Sequence, residues 1–218
     1  MRSKLDEQLN ELNDALIRMG EMVEKAIALA VQALVEQDSE LAEQVIAADD
    51  EIDNIEKEIE SLSLKIMLQQ HPVAGDLRYV SSVLKIVTDL ERIGDHAQDI
   101  SEISLLLAGQ PYIKKLEYIP RMAEATMDMI RGCIEAFIQR DLEMAYAVIG
   151  GDDVVDDLFV QAKDILIGMI HENPENGTQA IDLIIIAKYF ERIGDHAANV
   201  AEWVIFSLTG LHKRRRIL

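Results

Sequence analysis

Apolar residues recur with alternating spacings of four and three positions along the chain. One such stripe comprises Leu41, Val45, Ala48, Ile52, Ile55, Ile59, Leu62 and Ile66. This spacing places the whole stripe on one face of an α-helix over about four heptads, so it predicts an amphipathic helix. The same alternation recurs 103 residues later, from Met144 to Met169, which indicates an internal repeat.

A repeated heptapeptide strengthens that interpretation. Residues 91–97 read Glu-Arg-Ile-Gly-Asp-His-Ala, and residues 191–197 read the same seven letters. An identity of this length is not expected by chance within one chain of 218 residues, so the sequence divides into two copies. We expect the first repeat to span 1–110 and the second to span 111–218, with a short basic tail at Lys213–Arg216.

Capping and turn signals divide each copy into three helices. Asp38 and Asp141 occupy N-cap positions, while His71-Pro72 and Asn173-Pro174 end the helices that follow them. The predicted spans are 3–37, 39–70, 75–108, 117–139, 141–171 and 178–210. Long helices joined by short turns predict an all-α fold of two tandem three-helix bundles, related by a pseudo-twofold internal repeat.

The least regular point of the pattern is the pair Gly150-Gly151 within the fifth span. Two glycines cost a helix roughly 2 kcal/mol relative to alanine. The pair therefore predicts a break in this helix, with Asp152 capping the restart.

Acidic residues at matching positions of the two copies form the main candidate site. Four pairs, each spaced i, i+4, are Asp49 with Asp53, Glu91 with Asp95, Asp152 with Asp156, and Glu191 with Asp195. Residues four apart lie on one helix face, so two adjacent helices would bring four carboxylates together in each copy. Further candidates beside these pairs are Asp50, Asp99, Asp153 and Asn199.

Clustered carboxylates repel one another, by about 3 kcal/mol per pair at about 5–6 Å in an effective dielectric of roughly 20. Solvent, protons or a cation must relieve that repulsion. All-oxygen sites suit hard cations such as magnesium, manganese, calcium and iron. In the alternative interpretation, the acidic residues form a solvated flank of the apolar stripe and bind nothing.

The other residues of the repeated motif have structural explanations. Gly94 and its counterpart 100 positions later predict close helix approach, which could bring carboxylates of a neighbouring helix near. Arg92 and its counterpart are expected to pair with the acids three positions on, although phosphate binding stays open. His96 and its counterpart are expected to make structural hydrogen bonds rather than to ligate metal.

Composition narrows the classes of partner. The chain has 40 acidic and 21 basic residues and a formal charge of -19, so nucleic acids and anionic membranes would repel it. The single cysteine, Cys133, excludes an internal disulfide and falls in an apolar stripe typical of a core. The sequence shows neither a leader nor a membrane-spanning segment, so we expect a soluble, cytoplasmic protein. The basic tail is expected to cap the last helix, with lipid headgroups or an acidic partner as alternatives.

Signatures of common enzyme classes are missing from the sequence. None of the five histidines follows a glutamate by three positions, as the di-iron ferritin-like proteins require. There is no glycine-rich phosphate loop and no Gly-x-Ser-x-Gly motif. The sequence therefore predicts a protein that is not an enzyme.

The doubled motif resembles the PhoU family. Leu90–Ala97 and its second copy at 190–197 carry the resemblance, and Pro72–Arg78 resembles the family's start of the third helix. The resemblance covers essentially the full chain and implies two three-helix bundles. It also implies a negative regulator of phosphate uptake and phosphate-starvation signalling. Such a regulator acts as an adaptor between a phosphate ABC transporter ATPase and a sensor histidine kinase, commonly as a homodimer, and meets the membrane only through these partners.

The resemblance also implies metal binding. The family's Glu/Asp-x-x-x-Asp motif is used in pairs to hold multinuclear clusters, with iron in some members, and all four acidic pairs match it. Iron is therefore the expected metal, with manganese, magnesium or zinc as alternatives. Because Asn199 replaces Asp99 in the second copy, the two sites need not be equivalent. The rival hypotheses are a metal-dependent enzyme acting on phosphate esters, an accessory of another phosphate carrier, and a purely structural adaptor.

Overall fold

Six long α-helices make up most of the molecule. The computed structural model describes residues 2–114, 116–213 and 215–216. The helices are α1 (Arg2–Glu36), α2 (Ser39–Gln70), α3 (Gly75–Leu107), α4 (Tyr118–Gln139), α5 (Leu142–Glu172) and α6 (Gly177–Thr209). All six predicted helices are present, and each boundary lies within one residue of its predicted position. Among the described residues, none of these helices has a stretch long and apolar enough to cross a bilayer.

The helices form two three-helix bundles joined through one continuous core. Helices α1, α2 and α3 pack on one another, and α4, α5 and α6 do the same. The bundles meet where α3 packs along α6 and where α1 contacts α4. Leu16, Leu90 and Phe190 are fully buried members of the shared core. The predicted all-α fold of two three-helix bundles is confirmed.

The predicted caps fix the starts of α2 and α5. The Asp38 carboxylate accepts a hydrogen bond from the backbone N–H of Leu41, with an N···O distance of 3.0 Å. The Asp141 carboxylate accepts from the N–H groups of Glu143 and Met144, at 2.9 and 3.0 Å. Each cap satisfies donors that the first helical turn leaves without an intrahelical partner.

The predicted break at Gly150-Gly151 is wrong, because α5 runs without interruption from Leu142 to Glu172. Burial of Val148 and Val155 on either side of the pair holds the helix against the core. A Cβ added at Gly151 would lie 3.2 Å from Met129 Cγ on α4. Gly151 therefore serves close packing of two helices, which the sequence pattern alone could not distinguish from a break.

The basic tail turns back instead of extending α6. Gly210, with φ of 77°, ends the helix in the left-handed conformation and donates its backbone N–H to the carbonyl of Phe206. The next residues form a short antiparallel hairpin in which Leu211–His212 (β1) pairs with Arg215–Arg216 (β2). Gly210 thus supplies the backbone cap of α6, and Lys213 Nζ donates a hydrogen bond to Asn199 Oδ1, at 3.3 Å, rather than to the last carbonyl groups of the helix. The predicted interaction of the basic cluster with the helix dipole stays a prediction. Arg214 and the side chains of the next two arginines lie outside the described residues.

Candidate metal centres

The fold assembles the predicted acidic pairs into two separate groups. We call Asp49, Asp53, Glu91 and Asp95, on α2 and α3, the first centre. We call Asp152, Asp156, Glu191 and Asp195, on α5 and α6, the second centre. In each group, the charges of other members raise the pKa of two carboxyl groups, Asp49 and Glu91 in the first centre and Asp152 and Asp156 in the second. The fold thus places the four acidic residues of each copy on two helices that pack on each other.

The repeated glycines allow this close assembly. A Cβ added at Gly94 would lie 3.4 Å from Oδ1 of Asp49 and 3.1 Å from the Ile52 side chain. At the equivalent Gly194, the added Cβ would lie only 2.9 Å from Oδ1 of Asp152. The absence of a side chain lets the neighbouring helix bring its carboxylate against the backbone of α3 or α6. The predicted role in close helix approach is confirmed.

Burial and mutual repulsion raise the pKa of two carboxyl groups in the first centre. Burial, followed by the negative charges of Asp95 and Asp53, raises the pKa of Asp49 to about 6. Burial, followed by the charge of Asp95, raises the pKa of Glu91 to about 7. Without a cation, these groups therefore retain protons at a pH where an ordinary carboxyl group is fully ionised.

Two carboxyl groups of the second centre have a raised pKa for the same physical reasons. Burial, followed by the charges of Asp156 and Asp195, raises the pKa of Asp152 to about 6. The pKa of Asp156 is also raised, by its burial and then by the charge of Glu191. Both copies of the repeat thus hold carboxylates together at an electrostatic cost, since like charges at short range favour protonation.

Three carboxylate oxygens in these centres are buried and have no hydrogen-bond donor. They are Oε2 of Glu91, Oε2 of Glu191 and Oδ1 of Asp152. Arg92 Nε and Arg192 Nε lie 3.3 and 3.9 Å from the two glutamate oxygens, so the neighbouring arginines compensate their charge in part. A bound cation is a further way to compensate a buried carboxylate oxygen that accepts no hydrogen bond. The oxygen donors of both centres match the preference of hard cations, so their chemistry fits the metals predicted above.

Basic residues neutralise part of each centre from its rim. Arg92 Nη1 lies 2.6 Å from Oδ2 of Asp95, and Arg192 Nη1 lies 3.2 Å from Oδ2 of Asp195. These pairs confirm the predicted contacts across three positions. Lys57 Nζ likewise lies 3.3 Å from Oδ2 of Asp53.

Within the described residues, no three His, Cys, Asp or Glu side chains are positioned to share one metal ion in this conformation. The ion pairs described above engage Asp53, Asp95 and Asp195 at the rim. Metal binding would therefore require carboxylates to turn towards a common ion. The metal sites and their iron, manganese, magnesium or zinc content stay predictions.

The less central candidates are distributed unevenly around the two centres. The charges of Asp50 and Asp99 both contribute to the raised pKa of Asp49, so they lie near the first centre. Asp153 contributes in the same way to the raised pKa of Asp152. In contrast, the Asn199 side-chain oxygen accepts a hydrogen bond from Lys213 Nζ in the tail, at 3.3 Å.

The two histidines of the motif make the predicted structural contacts where α3 packs along α6. His96 Nδ1 lies 3.3 Å from Oδ2 of Asp99, and His196 Nδ1 lies 2.8 Å from Oδ1 of Asp89. Their ring centroids are 5.7 Å apart, and the His96 ring also packs against Tyr189. The motif therefore links the two bundles to each other as well as supplying carboxylates.

Two charged residues near the centres were not identified from the sequence. The charge of Glu56 contributes to the raised pKa of Glu91, which places it beside the first centre. Lys188 forms an ion pair with Oε1 of Glu191 in the second centre. The equivalent residues of the other copy are Phe159 and Thr88, so neither position belongs to the repeated pattern from which the sites were predicted.

Comparison with known proteins decides the family. The sequence matches the PhoU domain over residues 16–104 and again over residues 119–204. This chain belongs to the PhoU family. The first matched segment contains the whole first centre, and the second contains the whole second centre, so each PhoU match carries one group of carboxylates.

Several relatives match this PhoU-family protein along most of its length. The phosphate-specific transport system accessory protein PhoU homolog of Clostridium acetobutylicum is 39% identical over 210 residues, which cover 96% of each chain. The protein of the same name in Aquifex aeolicus is 41% identical over 189 residues, covering 87% of this chain and 86% of its own.

Solved structures agree with the described fold. The crystal structure of PhoU from Pseudomonas aeruginosa has a TM-score of 0.89 at 32% identity, covering 94% of this chain and 99% of that one. The phosphate transport system regulatory protein PhoU from Streptococcus pneumoniae gives a TM-score of 0.87 at 27% identity, with 94% and 97% coverage.

Replacing Gly194 by alanine should change metal binding at the second centre without changing the stability of the fold. The added methyl group would displace the Asp152 carboxylate, whereas alanine favours the helix by about 1 kcal/mol. We expect Gly194→Ala to weaken manganese binding at the second centre about tenfold without lowering the melting temperature. Gly150→Ala is the matched control, since nothing lies within 4 Å of its added Cβ. Equal manganese binding by both variants would contradict the role assigned to Gly194.

The raised pKa values predict how pH affects the metal-free protein. Because the pKa values of Asp49, Glu91 and Asp152 are higher in the folded state, that state binds more protons than the unfolded chain between about pH 4 and 7. Their contribution to the free energy of unfolding must therefore fall as pH rises through this window. Urea unfolding in the presence of a chelator, at about pH 5 and pH 8, measures this change in the free energy of unfolding. The variant Asp49→Asn, Glu91→Gln, Asp152→Asn should show a smaller fall, and an equal fall would contradict the assignment.

Proposed function

We propose that this protein is a non-enzymatic regulatory accessory of phosphate-specific transport. The observation that carries the proposal is the pair of carboxylate centres, each contained in one PhoU match. The names of the relatives support it: those from Clostridium acetobutylicum and Aquifex aeolicus are accessory proteins of this transport system. The similar structure from Streptococcus pneumoniae is named a regulatory protein.

The carboxylate centres are proposed to hold multinuclear metal clusters, with iron as the first choice. In the first centre, Glu91 and Asp95 would bind together with Asp49 and Asp53. The four acidic residues of the second centre would do the same. A bound cluster would neutralise the carboxylates and give a partner a cationic surface in place of a repelling one.

The proposed partners are the ATPase of a phosphate ABC transporter and a sensor histidine kinase. Through them, the protein would restrain phosphate uptake and the phosphate-starvation response. We propose that it acts in the cytoplasm as a homodimer. An accessory of a different phosphate carrier would use the same surfaces, and binding to the purified partner proteins distinguishes the two cases.

The second bundle offers an apolar surface for such contacts. Val160, Ile167, Ile181 and Ile185 are exposed on α5 and α6, within about three helical turns of the second centre. The equivalent positions of the first bundle are Lys57, Leu64, Ser81 and Lys85. Several exposed apolar side chains near a charged site are typical of an interaction surface. In the first bundle three of these four positions are polar or charged, and Leu64 and Leu68 are the exposed large apolar residues of α2. The apolar residues on both α5 and α6 therefore favour docking through the second bundle.

The described residues around the centres do not favour the enzyme hypothesis. Cys133 is fully buried in the core, and its burial raises the pKa of the thiol, so it is not an activated nucleophile. The arginines beside the centres are engaged with carboxylates in ion pairs. A metal-dependent enzyme acting on phosphate esters therefore finds no support in a specific residue.

Elemental analysis of protein purified without a metal-affinity resin tests this proposal. We expect several metal ions per chain in the wild type and a loss of most of them in the variant with Glu91, Asp95, Glu191 and Asp195 replaced by alanine. The same variant should lose binding to the transporter ATPase and fail to restrain phosphate uptake in cells lacking their own PhoU protein.

A control variant removes an exposed acidic pair with the same spacing, Glu7 and Glu11 on α1. It should retain both metal content and binding to the ATPase. If the four-residue variant behaves like this control in every assay, the carboxylates are solvated surface and the proposed mechanism is wrong. Metal-dependent turnover of a phosphate ester by the wild type would instead support the enzyme hypothesis.

A further inference from the structure

The two centres have identical carboxylates but different surroundings. Positions on α2 correspond to positions on α5 that lie 103 residues later, and positions on α3 correspond to positions on α6 that lie 100 residues later. This correspondence allows a residue-by-residue comparison of the two sites within one chain. Because the four core carboxylates are of the same residue types in both copies, the difference in charge between the two centres comes from the flanking residues.

Additional acidic residues surround the first centre. Glu56 acts on Glu91, as the raised pKa of Glu91 records, and Glu60 in turn acts on Glu56. Asp99 adds its charge to the environment of Asp49. Each of these negative charges favours an incoming cation.

Basic and neutral residues occupy the same positions around the second centre. Phe159 replaces Glu56, Lys163 replaces Glu60, and Asn199 replaces Asp99. The ammonium group of Lys163 lies 5.7 Å from the Phe159 ring centroid. These replacements remove attraction for a cation and add repulsion.

Lys188 intervenes directly at the second centre. Its ammonium group forms an ion pair with Oε1 of Glu191, whereas the equivalent residue of the first copy is Thr88. It also lies 5.2 Å from the Phe159 ring centroid, within the range of a cation–π contact. A metal ion that binds Oε1 of Glu191 must therefore displace an ammonium group, whereas the charged neighbour of Glu91 is the Arg92 guanidinium, with Nε 3.3 Å from Oε2.

The difference in formal charge is substantial. The eleven compared positions of the first copy are 49, 50, 53, 56, 57, 60, 88, 91, 92, 95 and 99. Eight of them are acidic and two are basic, whereas their counterparts in the second copy include five acidic and three basic residues. The first centre is thus four formal charges more negative. Even with solvent screening, that difference corresponds to at least about tenfold in affinity for a divalent cation.

We propose that the two centres bind metal unequally. The first centre is a high-affinity site that stays loaded, and the second is a weaker site that exchanges its metal, because Lys188 competes for Glu191. Occupancy of the second centre would then follow the supply of free cation, next to the apolar surface of the second bundle. This inference rests on the proposed metal binding and adds to it an order of loading.

Titration of chelator-treated protein with manganese chloride tests the inference, with free manganese counted by electron paramagnetic resonance. We expect two classes of site in the wild type, with dissociation constants at least about tenfold apart. The variant Glu91→Ala, Asp95→Ala should lose the tight class, and Glu191→Ala, Asp195→Ala should lose the weak class.

Exchange of residues between the copies identifies the cause. Lys188→Thr with Phe159→Glu gives the second centre the residues of the first, and should tighten the weak class about tenfold. Thr88→Lys with Glu56→Phe makes the reverse exchange and should weaken the tight class. Lys4→Thr, which removes a lysine near the start of α1, is the charge control and should change neither class. Melting temperatures of all variants verify that they fold.

The outcomes separate this inference from the proposed function. A single class of site in the wild type overturns the inference but leaves the proposed metal binding unaffected. The inference is also overturned if the double variant Lys188→Thr, Phe159→Glu has the same weak dissociation constant as the wild type. Loss of the weak class in Glu91→Ala, Asp95→Ala reverses the assignment and also overturns it. If neither centre binds manganese, iron or zinc, the proposed metal binding fails together with the inference.

Discussion

Repulsion among carboxylates held against packed helices is the constraint on which the interpretation of this protein depends. Two helices that bury an apolar stripe cannot separate to relieve it, because their apolar faces belong to the core. The glycines at 94 and 194 bring the helices closer still, so that an aspartate side chain meets the opposite backbone. The core thus supplies the stability that holds the acidic residues in an arrangement they would not adopt alone.

This arrangement explains why the same motif has structural and chemical roles. Its isoleucine and alanine are buried, its glycine permits close approach, and its histidine links the two bundles. Its acidic residues lie on the same turns, and the charges of Asp95 and Asp195 raise the pKa of Asp49 and Asp152 on the neighbouring helices. A substitution within these seven residues therefore affects packing and charge together, unless it is chosen for one property, as Gly194→Ala is.

The fold could be predicted from the sequence because its signals are local. Stripe spacing fixed the helices, and Asp38 and Asp141 marked two of their starts. The continuity of α5 could not be predicted, because the glycine at position 151 is required by the close packing of Met129 on another helix. The site was predictable only where the copies agree. The roles of Lys188 and Glu56 could not be predicted from the repeated residues, because the two copies differ at these positions and the effects depend on side-chain contacts in the folded protein.

The divergence of the copies gives the halves different characters. The first centre has more negative charge around it, and the second lies beside exposed apolar residues and within reach of lysine side chains.

Anomalous diffraction from crystals grown with iron tests the central claim most directly, because it locates the metal. The account predicts peaks bound by Glu91 and Asp95 in the first bundle, with weaker peaks at Glu191 and Asp195 in the second. Peaks elsewhere, or none at either group of carboxylates, would contradict it.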